Sequence, residues 1–176
     1  MLLAIENADP GAIALAVSGG GDSVALLHLA HSVAAGSGRP LHAVSVDHGL
    51  RAESAHEAAR VAAICKALGV PHDTLRWEGW DGQGNLQSRA RAARYALIAD
   101  WARAQGIGTI LLGHTRDDQA ETFLMRLART AGVDGLSGMA ARFPRNGVTW
   151  CRPLLGTDRA TLRAFLRGIG ADWIED

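Results

Sequence analysis

The sequence predicts an α/β fold built on a doubly wound parallel sheet of about five strands. Three observations carry this expectation. Short apolar runs alternate with longer runs of helical apolar spacing along nearly the whole chain. The run Thr109-Ile110-Leu111-Leu112-Gly113 is short and apolar, as in a strand covered on both faces of a parallel sheet. A turn with three consecutive glycines, Ser18-Gly19-Gly20-Gly21-Asp22-Ser23, stands between the first strand and the first helix. Strand, glycine-rich turn and helix in that order aim backbone N–H groups and a helix N-terminus at an anion.

The elements follow in order. Residues 12–17 are apolar and form the first strand; residues 24–30 open the first helix. Residues 41–46 read as the second strand. Residues 53–68 have helical apolar spacing and stop at Gly69, a helix-ending residue. Residues 72–77 alternate weakly and give a third strand, and residues 81–85 are a loop by composition. Residues 86–105, rich in arginine and alanine, form a helix that ends before Gly106. The fourth strand at 109–113 leads into a helix over 118–130, then a glycine-punctuated loop over 132–138. Residues 148–151 are a fifth strand, and 157–168 a last helix with Thr157 or Asp158 near its N-cap. The alternation is Rossmann-like. No repeat, low-complexity tract or internal linker divides it, so one domain is expected over residues 1–176. The last residues, Trp173-Ile174-Glu175-Asp176, lack a polar tail, and an end inside a longer protein is expected.

Composition narrows the class. With 176 residues and 48% hydrophobic content the chain can bury a core, which excludes a disordered protein. No apolar run is long enough to span a bilayer, and the N-terminus lacks a signal peptide's charged start and cleavage site. A cytosolic protein without a membrane partner is expected, with Cys65 and Cys151 as unpaired structural thiols. Net charge is zero but uneven. Residues 1–88 carry 5 Lys+Arg and 9 Asp+Glu, and residues 89–176 carry 13 and 9, so the halves are −4 and +4. All but Lys66 of the basic residues are arginine, whose planar fork suits phosphate. A nucleic-acid face in the second half is therefore a reasonable expectation, though a solvated surface accounts for the charge equally well.

The glycine loop is a particular kind of phosphate loop. A Walker A loop needs Gly-Lys-Ser/Thr, and no lysine follows here; the dinucleotide fingerprint needs a third glycine where Val24 stands. What remains is Ser-Gly-Gly-x-Asp-Ser. Its glycines let backbone approach a phosphate, its serines add donors, and Asp22 could hold a cation. The plainer reading is an αβ turn in which Asp22 or Ser23 caps the helix. The pattern resembles the PP-loop of the ATP pyrophosphatases, which cleave ATP to AMP and pyrophosphate.

Two further segments sit where such sheets bind ligands, at the carboxyl ends of strands. Val46-Asp47-His48-Gly49-Leu50-Arg51 follows the second strand; it could edge an adenine or ribose, or Asp47 could simply cap the next helix. Gly113-His114-Thr115-Arg116-Asp117-Asp118-Gln119-Ala120-Glu121-Thr122 follows the fourth. Asp118 and Glu121 share a helix face, and paired carboxylates there can bind an ammonium group or act as a general base. Asp117 and Asp118 also suit the start of a helix, where negative charge is favoured. Arg89, Arg91 and Arg94 lie on the helix after the third strand, with Arg91 and Arg94 on one face, facing ligand or solvent.

In order, these segments are joined by Ala90-Arg91-Ala92-Ala93-Arg94-Tyr95, Leu124-Met125-Arg126-Leu127, Gly132-Val133-Asp134-Gly135-Leu136-Ser137-Gly138-Met139 and Arg152-Pro153-Leu154-Leu155. The series resembles the N-terminal catalytic domain of the tRNA(Ile)-lysidine synthetases, within the PP-loop ATP pyrophosphatase superfamily. The resemblance implies an adenine nucleotide alpha hydrolase-like fold. It also implies a ligase that uses ATP to adenylate the wobble cytidine of the tRNA(Ile) CAU anticodon, then joins L-lysine to it as lysidine. It implies ATP contacts from Ser18, Gly19, Gly20, Gly21, Asp22, Ser23, Val46 and His48. Substrate contacts would come from Asp47, Arg94, His114 and Asp117, catalytic roles from Asp22, Arg91, Asp118 and Glu121, and magnesium would be placed by Asp22. A homodimer is among the expectations. The family's catalytic domain usually continues into domains that grip tRNA, absent here, so the chain is expected to bind ATP but to modify tRNA poorly by itself. The rival readings are another PP-loop tRNA-modifying enzyme, such as a cytidine thiolase, and a non-catalytic adenine-nucleotide-binding module. The first normally brings paired cysteines, which this chain lacks; the second has no need of the 114–121 charge cluster.

Overall fold

The structure is a computed structural model, and it describes residues 11–49, 54–78, 83–128 and 138–175. Leu50, Arg51, residue 53, loop residues 81 and 82, and residues 129, 130 and 132–137 of the expected elements lie outside the described residues. Among the described residues six strands form one sheet: β1 (Ile13–Ala16), β2 (Leu41–Asp47), β3 (His72–Arg76), β4 (Thr109–Leu112), β5 (Arg142–Arg145) and β6 (Val148–Cys151). Five helices accompany them: α1 (Gly21–Ser37), α2 (Ser54–Ala67), α3 (Leu86–Ala104), α4 (Arg116–Ala128) and α5 (Arg159–Gly168).

The sheet order is β3-β2-β1-β4-β6-β5, and every pairing except β5 with β6 is parallel. Side chains alternate across each strand, so β1 feeds two cores at once. Ile13 and Leu15 join Val24, Leu26 and Leu27 of α1, Val61 and Cys65 of α2, and Leu162 and Leu166 of α5. Ala14 points the other way, into Tyr95, Ile98, Ala99 and Ala102 of α3 with Ile110 and Trp150. Helices α1, α2 and α5 thus cover one face and α3 the other, the doubly wound arrangement expected. The chain leaves β1 toward β2 and returns through α3 to place β4 on the opposite side of β1. That reversal opens a crevice at the carboxyl ends of β1 and β4, where α/β sheets hold ligands.

Two expectations are corrected. The sheet has six strands rather than about five, because Arg142–Arg145 forms an antiparallel hairpin with β6. Its turn is Asn146-Gly147, with φ of 54° and 78°, the pair of positive angles that a two-residue type I′ turn needs. Pro144 masked the strand in the sequence; proline is tolerated here because β5 is an edge strand. At α1, neither Asp22 nor Ser23 is the N-cap. Gly20 takes that place in extended geometry with no side-chain cap, and Asp22 lies inside the first turn. The last helix does cap as one of the expected alternatives: Asp158 accepts a hydrogen bond from the Thr161 N–H at 2.7 Å. Both cysteines are buried and free, and burial pushes the Cys65 thiol up to about 11 and raises that of Cys151.

Among the described residues Trp150 is the largest fully buried side chain. Its ring meets Tyr95 edge-on at 4.6 Å and stacks with Phe143 at 6.4 Å, and its Nε1–H donates to the Arg145 carbonyl at 3.1 Å. Trp150→Ala is expected to cost about 3–5 kcal/mol of unfolding free energy in urea titrations, because the indole links α3, β5 and β6.

Candidate active site

A cleft of about 920 Å³ opens at the carboxyl ends of β1, β2 and β4. Its floor is the glycine-rich loop, with Ser18, Gly20, Gly21, Asp22 and Ser23 in the wall. The loop is braced internally. Ser23 Oγ donates to the Gly20 carbonyl at 2.9 Å and accepts from the Ser18 N–H at 3.2 Å, and it lies 3.2 Å from Ser18 Oγ. Gly19 is not in the wall. It has φ of 94°, and its carbonyl accepts from the Ile174 N–H at 2.9 Å. A Cβ on Gly19 would lie 2.5 Å from Ile174 Cδ1, and one on Gly21 would lie 3.3 Å from Trp173 Cδ1. Two of the three glycines therefore make room for residues 173 and 174, which roof the loop, and not only for a phosphate.

At the β2 end, Val46, Asp47 and His48 line the cleft as expected. Asp47 Oδ1 accepts from the Gly49 N–H at 2.8 Å, forming a local turn instead of a helix cap. His48 Nε2 accepts from Arg94, 3.1 Å from Nη2 and 3.3 Å from Nε. Burial first, then Arg94, holds the imidazole below its usual range. A neutral ring accepting at Nε2 carries its proton on Nδ1, and that atom is buried without a partner. Nothing among the described residues accepts from this nitrogen.

At the β4 end, Thr115 and Asp118 form a capping box at the start of α4. The Asp118 Oδ2 accepts from the Thr115 N–H at 2.6 Å and from its Oγ at 2.9 Å, while Thr115 Oγ faces the Asp118 N–H at 3.4 Å. The other oxygen, Oδ1, accepts from Arg159 Nη2 at 2.5 Å. Arg159 Nη1 reaches Glu121 Oε1 at 2.6 Å and Nε reaches Asp22 Oδ2 at 3.2 Å. One guanidinium thus joins carboxylates from the loop and from α4. Burial raises the Asp118 carboxyl, but the Thr115 hydrogen bonds and Arg159 outweigh it and leave it below the ordinary value. For Asp22 burial prevails and the carboxyl is raised. His114 lines the same wall, and its Nδ1 accepts from Arg152 Nε at 3.1 Å. Arg152 is itself fixed by the Ala140 carbonyl at 2.7 Å and lies over the Phe143 ring.

Besides Gly19, two of the expected site residues fall elsewhere. Asp117 is not in the cleft wall; its Oδ2 accepts from the Arg159 backbone N–H at 2.9 Å, so it bolts α5 to α4. Arg91 is also outside the wall, its guanidinium 5.5 Å from the Tyr95 ring centre, and Arg94 is the α3 arginine that reaches the cleft. Two arginines of the wall escaped the sequence reading, Arg159 and Arg163, and Arg152 stood in a quoted run without a site role. The sequence signal for Arg159 is only its place after an N-cap aspartate; nothing local announces its three partners.

A model of the PP-loop domain, an ATP-binding family, matches residues 2–176. The chain belongs to the PP-loop domain family. Several curated proteins named tRNA(Ile)-lysidine synthase are similar to it. The one from Ruegeria pomeroyi is 55% identical over 95% of this chain and 40% of its own length. Those from Mesorhizobium japonicum and Bradyrhizobium diazoefficiens are 50% and 48% identical over 94% of this chain, and 38% and 46% of their own lengths. The chain thus spans less than half the length of these relatives. Among solved structures, the U34-tRNA thiolase NcsA from Methanococcus maripaludis, with its 4Fe-4S cluster, superposes with a TM-score of 0.82 at 16% identity, over 94% of this chain and 59% of that one. NMN synthetase from Francisella tularensis gives 0.59 at 12% identity, over 96% and 64%. These two likenesses concern the fold.

One atom of the PP-loop tests whether magnesium suits this site. Asp22 Oδ1 is buried without a hydrogen-bond donor among the described residues, while Oδ2 is held by Arg159. An orphaned carboxylate oxygen beside a phosphate loop is a fitting ligand for a hard cation that takes its remaining ligands from phosphates and water.

Burial and the Arg152 guanidinium lower the His114 imidazole to about 4 from its usual 6.5. A histidine whose folded value lies below its unfolded one contributes stability above the unfolded value and loses it as pH falls through the folded one. In NMR titrations the His114 ring signals are expected to stay constant through pH 6.5 and to move only near pH 4. Over that same window the wild-type chain is expected to lose more stability than His114→Gln in urea titrations.

Proposed function

We propose that the cleft holds ATP with its adenosine at the β2 end and its phosphates on the PP-loop, and that the protein is a tRNA(Ile)-lysidine synthetase. The observation that carries this reading is the meeting of Asp22, Asp118 and Glu121 on one cation within the same cleft as the phosphate loop. Lysidine formation needs both halves. In the first step the carbonyl oxygen of the wobble cytosine attacks the α-phosphorus and pyrophosphate leaves. In the second, the ε-amine of L-lysine attacks the activated ring carbon and AMP departs with that oxygen. The first step calls for donors around a departing polyanion, and the second for carboxylates around an amine.

The residues divide accordingly. The PP-loop amides and Ser18 receive the phosphates, and His48 Nδ1–H offers a donor near the nucleoside. Asp22, whose Oδ1 has no partner among the described residues, would hold a magnesium ion, which would supply neutralisation of phosphate charge. Asp118, with both oxygens already hydrogen-bonded, is the better anchor for an ammonium and the weaker base. Glu121, with its side chain 57% exposed and only one oxygen held by Arg159, is the better placed to take the proton that the amine must lose. His114, neutral at physiological pH, and Arg94 flank the base. Arg91, on the outer surface of α3, suits the tRNA backbone. The relatives' names support tRNA(Ile) as substrate and with it the cytoplasm as the place of action. Cys65 and Cys151 are buried in the core and absent from the cleft wall, which favours amine transfer over a thiolase chemistry built on these thiols. The carboxylate cluster likewise favours an enzyme over a passive nucleotide module.

The test is incorporation of labelled lysine into tRNA(Ile) by the complete protein, with pyrophosphate release followed in parallel. Asp118→Asn and Glu121→Gln are each expected to lower lysidine formation by about a hundredfold or more, while ATP binding persists. Unchanged rates in both variants would remove the two carboxylates from the chemistry.

A further inference from the structure

Helix α5 turns two arginines toward the cleft, Arg159 at its first residue and Arg163 one turn further on. Their electrostatic situations are opposite. All three nitrogens of the Arg159 guanidinium are committed to carboxylates, at 2.5, 2.6 and 3.2 Å. Its hydrogen bond to Glu121 comes first among the effects that raise its affinity for its proton, so it stays charged and occupied. Arg163 has no ion pair among the described residues, and its Nε is buried without an acceptor. Its charge still reaches Asp22 on the loop, where it favours the ionised carboxylate.

A permanently charged group with a buried, unmatched N–H is costly unless something fills the gap. A second orphan lies beside the PP-loop. Trp173 Nε1 is buried without a partner among the described residues, 3.5 Å from where a Cβ on Gly21 would sit. Arg163 lines the cleft on the side where α5 packs against α1, away from Val46 and His48 at the β2 end, while Trp173 lies behind Gly21 and outside the wall. A nucleotide whose adenosine lies at the β2 end and whose phosphates cross the loop ends near α5. The missing acceptor is therefore an anion rich in oxygens, and the guanidinium edge with its free Nε matches two phosphate oxygens at once.

We propose that Arg163 grips the β- and γ-phosphates of ATP and takes up the charge of the departing pyrophosphate. This rests on the reading of the cleft as the ATP site. Arg159 cannot do the same without abandoning the carboxylates; Arg163 can do it without breaking any ion pair or hydrogen bond among the described residues.

Calorimetric titration of the full chain with ATP, pyrophosphate and AMP decides it. Arg163→Met is expected to weaken ATP and pyrophosphate about tenfold and to leave AMP unchanged. Arg163→Glu is expected to weaken ATP and pyrophosphate further. Arg163 is half-buried at the surface of α5, and circular dichroism checks that both variants fold. Arg167, exposed in the last turn of α5 and outside the cleft wall, controls for loss of positive charge as such, and Arg167→Met is expected to bind all three like the wild type. Unchanged ATP and pyrophosphate affinity in Arg163→Met overturns the proposal. So does an equal loss for AMP, which would mark a general distortion of the cleft. A wild-type chain that binds none of the three overturns the ATP reading together with it, whereas ATP binding without lysidine formation counts against the cytidine substrate alone.

Discussion

Three carboxylates stand within reach of one another at this cleft because one guanidinium stands between them. Asp22 comes from the first turn of α1, Asp118 and Glu121 from α4, and Arg159 from the start of α5. Left to themselves, three ionised groups at such separations would repel, and at least one would hold its proton. Arg159 removes that conflict by placing a separate N–H against each. The same residue fixes the helices that carry them, since its backbone N–H is held by Asp117 and the adjacent Asp158 pairs with Arg116 at 2.8 Å. Charge placement and helix docking are thus one arrangement. Any movement of α5 would change the spacing of the carboxylates, and any loss of charge among them would loosen α5.

The sheet decides which groups can take part. Because β4 lies beside β1 and not beside β3, the loop after β1 and the helix start after β4 face each other across one strand spacing. The end of β2 lies on the other side of β1, so the cleft has a sequence of environments across its width. At the β2 end are a neutral histidine, whose Nδ1 has no partner among the described residues, and an exposed arginine that donates to its other nitrogen. In the middle is an array of amides with few side chains. At the far side are carboxylates and the second α5 arginine. A nucleotide is itself graded in this way, from an apolar base through a ribose to a dense anion, and the two gradients run parallel. The two histidines share a logic: an arginine donates to each and burial keeps each neutral, so both remain hydrogen-bonding groups and not charges.

What was legible in the sequence was what is local. The PP-loop, the alternation of strands and helices, the β2 and β4 rim segments and the cap at Asp158 each lie within a few consecutive residues. The β5 strand escaped because proline and two arginines hide its single apolar side chain, although Asn146-Gly147 is itself a hairpin signal. Arg159 escaped for a different reason: it is 137 residues from Asp22 and 41 from Asp118, and no spacing rule connects such positions. Asp117 was misread because adjacent acids at a sheet rim look equivalent until helix geometry separates them. Successive helical residues point about 100° apart, so Asp118 turns into the cleft while Asp117 turns to the N-terminus of α5. Arg91 and Arg94, three residues apart, share a face of α3 offset by about 60°, and Arg94 alone lines the cleft while Arg91 lies over Tyr95.

The glycine run shows most clearly how one local pattern can answer two demands. Phosphate access alone explains backbone amides without Cβ atoms over them, and Gly20 and Gly21 line the cleft in that way. It does not explain Gly19, whose amide plane is turned so that its carbonyl meets Ile174 and whose Cα faces the Ile174 side chain. The loop is therefore held from above by residues 173 and 174 as well as from within by Ser23. A phosphate loop must present its amides in one fixed geometry, since amides that had to be ordered by the ligand would bind it more weakly. The roof supplies that order before any ligand arrives. On this view Gly19 is a packing residue whose effect on nucleotide binding runs through the rigidity of its neighbours, and Gly21 serves both purposes, open to the cleft on one side and close against the Trp173 ring on the other.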